Sequence, residues 1–231
     1  METTFVSLAA GVATVQHQVA EAAAASGRNP DDITIIAVCK TAPREAVDAA
    51  VELGLRHFAE NRVQDALRKF ETPLPPGCDL HLIGQLQTNK ARPAVGLFDV
   101  IESVDRLSLV TALEKEASRI EKRLPVLVQV NIAGEEQKAG CAPQDAHDLL
   151  AALTASAWLE PQGLMTMAPL VADPEEVRPV FRGLRELRDR LQQQFADVPL
   201  PVLSMGMSND YPVAIAEGAT LVRVGRAIFG G

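Results

Sequence analysis

A lysine closes an apolar run near the start of the chain. Ile33-Thr34-Ile35-Ile36-Ala37-Val38-Cys39-Lys40 reads as a strand buried on both faces, because its apolar residues do not alternate strictly. An ammonium at the end of such a strand needs a reason. A primary amine there can capture an aldehyde as a Schiff base if desolvation and a neighbouring cation free its lone pair. Two later stretches carry the parts of an anion cradle. In Ser204-Met205-Gly206-Met207-Ser208-Asn209-Asp210, Gly206 allows close backbone approach, Ser208 offers a hydroxyl, and a helix start follows. In Arg223-Val224-Gly225-Arg226, Gly225 can bring backbone N–H groups to the same oxygens. Taken alone, Lys40 better suits a side chain reaching out to solvent, and a Gly/Ser turn before a helix is usually only a turn. Taken together, they describe an amine facing a phosphate pocket, with Arg223 close by. That equipment suits a phosphorylated aldehyde.

The elements that must position these residues repeat in two beats. Strands are predicted at 33–40, 56–59, 79–84, 98–102, 126–132, 159–165, 201–205 and 220–224, each but the last followed by a helical pattern. Asp173 and Pro174 mark one helix start, and Pro179, inside that pattern, either kinks the helix or marks its true beginning. Eight strands in βα order predict an α/β fold, a (β/α)8 TIM-type barrel, with a doubly wound open sheet as the alternative. In such barrels reactive groups sit at the C-terminal ends of strands, and phosphate binds after strands seven and eight. Both predicted cradle segments fall there. Residues 3–26 form an additional N-terminal helix, with Phe5, Leu8, Val12, Val15, Val19 and Ala22 on one face. Little chain follows strand eight, so this helix is expected to cover that part of the wall.

Composition narrows the function classes. The 231 residues fit one barrel domain, and the formal net charge of −8 argues against nucleic-acid binding. Three scattered cysteines, Cys39, Cys78 and Cys141, give neither a disulfide framework nor a metal spacing, so a cytoplasmic location is expected. The N-terminus lacks a signal-peptide pattern, and no apolar run is long enough to span a membrane.

Six motifs then occur in order: Ala37–Thr41, Phe58–Gln64, His81–Lys90, Ser103–Arg106, Ser204–Ser208 and Val222–Gly225. They closely resemble the pyridoxal phosphate homeostasis proteins, small relatives of the alanine racemase barrel. The resemblance runs from about Ile33 to Gly230. It implies that Lys40 forms the Schiff base with pyridoxal 5'-phosphate. It also implies that Ser208, Gly225 and Arg226 hold the phosphate, that Arg223 faces the pyridine nitrogen, and that Asn61 lies beside the cofactor. An arginine in that place keeps its proton and leaves the ring a weaker electron sink. Met165 is expected to pack against the ring, and Lys138 to be a loop lysine in solvent or a neighbour of the cofactor's phenolic oxygen. Cys39, Ala59 and Asn209 depart from the residues commonest in the family without removing a named contact.

The resemblance favours a holder over a catalyst. Related racemases bring a tyrosine base from a second domain, and the one tyrosine here, Tyr211, sits beside the phosphate turn. His17 and His147 are expected on helix surfaces. His57 comes early in its strand and His81 near the wrong end of the barrel. The expected function is reversible pyridoxal 5'-phosphate binding, with buffering of the aldehyde or delivery to apoenzymes, in a protein more often monomeric than not. An amino-acid racemase or lyase is the alternative.

Overall fold

Eight strands close on themselves. They are β1 (Thr34–Val38), β2 (His57–Glu60), β3 (Asp79–Leu82), β4 (Val100–Val104), β5 (Leu124–Gln129), β6 (Leu159–Met165), β7 (Val202–Met207) and β8 (Leu221–Val224). Each pairs in parallel with its sequence neighbours, and β1 pairs with β8 from Thr34↔Leu221 to Ala37↔Val224. That last pairing closes the barrel and removes the open sheet. The computed structural model describes residues 2–135 and 137–230, without the side chains of residues 2–5.

The outer layer holds α1 (Glu2–Ala25), α2 (Arg44–Glu52), α3 (Val63–Lys69), α4 (Ala91–Leu97), α5 (Leu107–Arg119), α6 (Ala146–Thr154), α7 (Arg178–Gln194), α8 (Tyr211–Ala216) and α9 (Arg226–Phe229). Outward strand residues such as Ala37, Phe58 and Val222 join the helix faces in one apolar cluster. In α5 that face is Leu109, Val110, Leu113 and Ala117, at the three- and four-residue spacing of an amphipathic helix. Burying each leucine or valine contributes about 1.5–3 kcal/mol.

The additional N-terminal helix covers the wall where β8 gives way to the short α9. Leu8, Val12, Val15, Val19 and Ala23 are buried on it, so the stripe ends on Ala23, with Ala22 only partly covered. The Phe5 side chain of the predicted stripe lies outside the described residues. A Cβ on Gly11 would stand 2.6 Å from the Ala227 carbonyl oxygen, so only glycine lets α1 approach α9 this closely. Just beyond α1, Arg28 donates to the carbonyls of Ile215 and Ala219, satisfying the end of α8.

Pro179 turns out to mark a helix start. Asp173 caps a short 3₁₀ turn, Pro174–Val177, by accepting from the Glu175 N–H, and α7 begins at Arg178 with Pro179 in its first turn. Among the described residues no helix is long and apolar enough to cross a membrane.

Candidate functional site

Lys40 follows β1 by two residues. The strand's last backbone pairing is Cys39 N–H to the Ala59 carbonyl, and Ala42 N–H then closes a turn on Cys39. Alternation puts Lys40 on the inward row of Ile36 and Val38, the row that β8 continues with Arg223. The expected desolvation of Lys40 is corrected: its side chain is exposed, because the pairing that buries β1 ends before it. Cys39 faces the other way. It is buried in the outer core, donates to the Ala59 carbonyl, and burial beside Glu60 pushes its thiol up to about 12. It is an inert packed residue.

The turn after β8 is seated on β1. A Cβ on Gly225 would meet the Val38 carbonyl oxygen at 3.0 Å and Val38 Cβ at 3.3 Å, two residues before Lys40. Arg226, which opens α9, reaches across to the preceding turn and donates to Asn209 Oδ1 at 3.2 Å. That turn owes its shape to Gly206, with φ +92°, and to Asp210, whose Oδ1 accepts from the Met207 N–H at 2.6 Å. Ser208 is half-buried at its tip. Asn61 follows β2, held by backbone contact with Gly84. Among the described residues, no hydrogen bond or ion pair occupies the side chains of Lys40, Asn61 or Ser208.

Lys40 and Ser208 line different clefts. A cleft of about 370 Å³ opens beside Lys40 toward Arg44, Arg68 and Lys69. A second, of about 510 Å³, runs between Ser208, Asn209 and Tyr211 and the Gln18 and Glu21 face of α1. Neither includes both Lys40 and Ser208. What joins the segments is the backbone contact of Gly225 and the Arg226–Asn209 bond.

Arg223 is the deepest of the predicted residues and fully buried. Its Nη1 donates to Ser204 Oγ at 2.5 Å and its Nη2 to the Thr166 carbonyl at 2.7 Å. Ser204 in turn donates to Glu102 Oε2, and Glu102 Oε1 accepts from His81 Nδ1 at 2.8 Å. Burial pulls the Arg223 guanidinium below its ordinary value, opposed by Glu102 and Asp210. Burial alone would push the Glu102 carboxyl up. The His81 bond, with Arg223 and Ser204, outweighs it and leaves the carboxyl below its usual range. Asp210 goes the other way, raised by burial despite the Met207 N–H and Arg223.

Glu102, Ser204, Thr166 and Asp210 are absent from the sequence-derived set. The available signal was a carboxylate inside an apolar strand, Val100-Ile101-Glu102-Ser103-Val104, where an unpaired charge does not belong. His81 is the third residue of β3, toward the end of the barrel opposite Lys40, and is buried in the barrel interior and bonded to Glu102. His17 and His147 lie on helix surfaces, as expected. Met165 is buried in register with Ser204 on the inward row. Lys138 lies 2.8 Å from the Glu135 carboxylate and is only partly exposed, so it is not a fully solvated loop lysine.

The family described as "Alanine racemase, N-terminal domain" matches residues 12–231. The pyridoxal phosphate homeostasis protein of Aquifex aeolicus is 40% identical over 216 residues, 94% of each chain. The chain belongs to the pyridoxal phosphate homeostasis protein family. The protein of that description from Pseudomonas aeruginosa is also 40% identical, over 97% of this chain and 95% of its own. Among solved structures, PipY of Synechococcus elongatus with PLP bound is 38% identical and superposes with a TM-score of 0.85, covering 96% of this chain and all of that one. These relatives match the chain nearly end to end.

Proposed function

We propose that this chain binds pyridoxal 5'-phosphate through Lys40 and serves pyridoxal phosphate homeostasis, by buffering the aldehyde or delivering it to apoenzymes. The barrel, residues 1–231, is the binding unit. The observation that carries this reading is the seating of Gly225 on Val38. It brings the turn after β8 beside the segment that ends in Lys40, while Arg226 ties that turn to Ser208-Asn209. The PLP-bound structure of PipY, at 38% identity over nearly the whole chain, supports the same ligand.

When bound, pyridoxal 5'-phosphate supplies an aldehyde that an amine captures reversibly and a ring that draws off electron density. The chain's residues do the rest. Lys40 offers an amine with no competing partner among the described residues, on the inward row and open to solvent, which suits exchange of the ligand. Ser208, Gly225 and Arg226 supply a hydroxyl, close backbone approach and a cation for the phosphate. Asn61 offers an amide at the end of the next strand. Arg223, anchored by Ser204 and Thr166, presents a guanidinium that does not give up its proton to a ring nitrogen.

The chemistry favours a holder rather than a catalyst. Tyr211 donates its hydroxyl proton to Gln18 on α1, and burial raises its pKa. It is thereby tied to the outer wall rather than offered as a base opposite Lys40. The function is tested by titrating purified protein with pyridoxal 5'-phosphate and following absorbance in the Schiff-base region. A saturable band in the wild type that is lost in Lys40→Ala supports the proposal. The same band in Lys40→Ala contradicts it. Sustained turnover of a chiral amino acid by the wild type would replace the holder with an enzyme.

A further inference from the structure

The end of the barrel opposite Lys40 carries a second set of chemistry-bearing residues. His57 opens β2 and Asp79 opens β3, and the two are partners in register. His81 lies two residues beyond Asp79, on the same face of the same strand. His57 Nδ1 stands 3.3 Å from His81 Nε2 and 3.5 Å from Asp79 Oδ2. One nitrogen or oxygen from each of the three lies within 4.8 Å of the others.

We propose that His57, Asp79 and His81 form a binding site for a divalent transition ion of the zinc class at the floor of the barrel. Two imidazoles and one carboxylate suit a borderline ion such as Zn²⁺ better than Mg²⁺ or Ca²⁺, which prefer oxygen alone. The spacing fits as well. With bonds of about 2.0–2.1 Å, the ligand atoms around tetrahedral Zn²⁺ stand about 3.3–3.4 Å apart. The separations of 3.3 Å and 3.5 Å from His57 Nδ1 match that value closely.

An independent observation points the lone pair inward. The Glu102 carboxylate accepts from His81 Nδ1 at 2.8 Å and is fully buried. It fixes the His81 proton on Nδ1 and leaves Nε2 as the electron-pair donor, directed at His57. A carboxylate behind a histidine is the usual outer support of a metal-ligating imidazole. A neutral His57 that carries its proton on Nε2 bonds the ion through Nδ1, and no net proton is released. Asp79 is about half exposed, which leaves an entry path and a fourth position for water.

The site rests on neither Lys40 nor the phosphate turns, so its test is separate from that of the proposed function. Full-length protein is stripped with chelator and titrated with Zn²⁺ by calorimetry, alongside His57→Gln, Asp79→Asn and Cys78→Ser. The cysteine variant controls for the partly exposed thiol next to Asp79. The expected result is one ion per chain for wild type and Cys78→Ser. Affinity should fall about tenfold or more in each of the other two, a loss that removing even an outer support can produce. X-ray absorption of the zinc-loaded wild type provides a readout that does not depend on how the variants fold. A nitrogen and oxygen shell with two imidazoles is expected. Absence of saturable binding, wild-type affinity in both His57→Gln and Asp79→Asn, or sulfur in the first shell would overturn the site.

Discussion

Glu102 and Arg223 meet through a single hydroxyl. Ser204 Oγ donates to Glu102 Oε2 and accepts from Arg223 Nη1, each at 2.5 Å, although Glu102 lies on β4 and Arg223 on β8. An anion and a cation are thus both fully buried inside the barrel, each satisfied by further partners, His81 on one side and Thr166 on the other. The arrangement fixes the guanidinium in place. A buried charge pair is costly to break from one side, because the survivor keeps its desolvation penalty.

Glu102→Gln follows from that asymmetry. The amide keeps the shape but removes the negative charge that faces Arg223 and one of the two acceptor oxygens that His81 Nδ1 and Ser204 Oγ share between them. Loss of stability of about 1–3 kcal/mol is expected, the cost of leaving a buried polar group poorly satisfied. Chemical denaturation with an unchanged m-value checks it. Wild-type stability in the variant would contradict the account of the network.

Glu217 gives the pH dependence. It closes α8 and lies within 3.1 Å of guanidinium nitrogens of Arg178, Arg182 and Arg185 along α7. Burial would raise its carboxyl, but the arginines outweigh it and hold the group below its ordinary value. An unfolded glutamate titrates near about 4.3. Above that pH the contribution of Glu217 to stability is complete. As pH falls through its folded pKa, the unfolded state has already bound the proton and the contribution is lost. The melting-temperature gap between wild type and Glu217→Gln should therefore be widest near neutrality and narrow below about pH 4.3. A gap that widens on acidification would reverse the sign and reject the assignment.

Gly206 and Gly96 separate two uses of glycine. Gly206 has φ +92°, and a Cβ there would lie 2.7 Å from Ala214 Cβ. Gly206→Ala should cost at least about 1–2 kcal/mol from the left-handed backbone alone, and should distort the Ser208 turn. Gly96 sits in α4, and an added Cβ there would find no atom within 4 Å. Gly96→Ala should be neutral or stabilising by up to about 1 kcal/mol. Thermal unfolding of both variants reads the contrast, and equal effects would count against it.

Ser208→Ala tests the phosphate turn without disturbing it, since no protein group depends on that hydroxyl among the described residues. Loss of one hydrogen bond of about 1 kcal/mol predicts roughly fivefold weaker binding of pyridoxal 5'-phosphate. Binding of pyridoxal, which lacks the phosphate, should be unchanged. A fluorescence titration with both ligands measures the difference, and an equal loss for the two would remove Ser208 from the phosphate site.

The strands were legible because each is an apolar run between turn signals, and the repeat of strand and helix carries the barrel. Boundaries depended on contacts that local pattern does not reveal. Phe98 and Asp99 read as the start of β4, yet the Phe98 N–H completes α4 by bonding Ala94, and the Asp99 carboxylate accepts from the Leu80 N–H. The strand therefore begins at Val100. Lys40 was legible as the end of an inward row. Its exposure was not, because that depends on where pairing with β2 stops. The Glu102 network was hidden for a simpler reason. Glu102 and Ser204 are 102 residues apart, and only barrel closure brings β4, β7 and β8 to one interior.

The central claim is that the Lys40 amine is the attachment point of the cofactor. Protein incubated with pyridoxal 5'-phosphate, reduced with borohydride and digested should yield one peptide carrying the reduced phosphopyridoxyl group, with fragment masses placing it on Lys40. Modification spread over surface lysines, or concentrated on a lysine other than Lys40, would contradict the account.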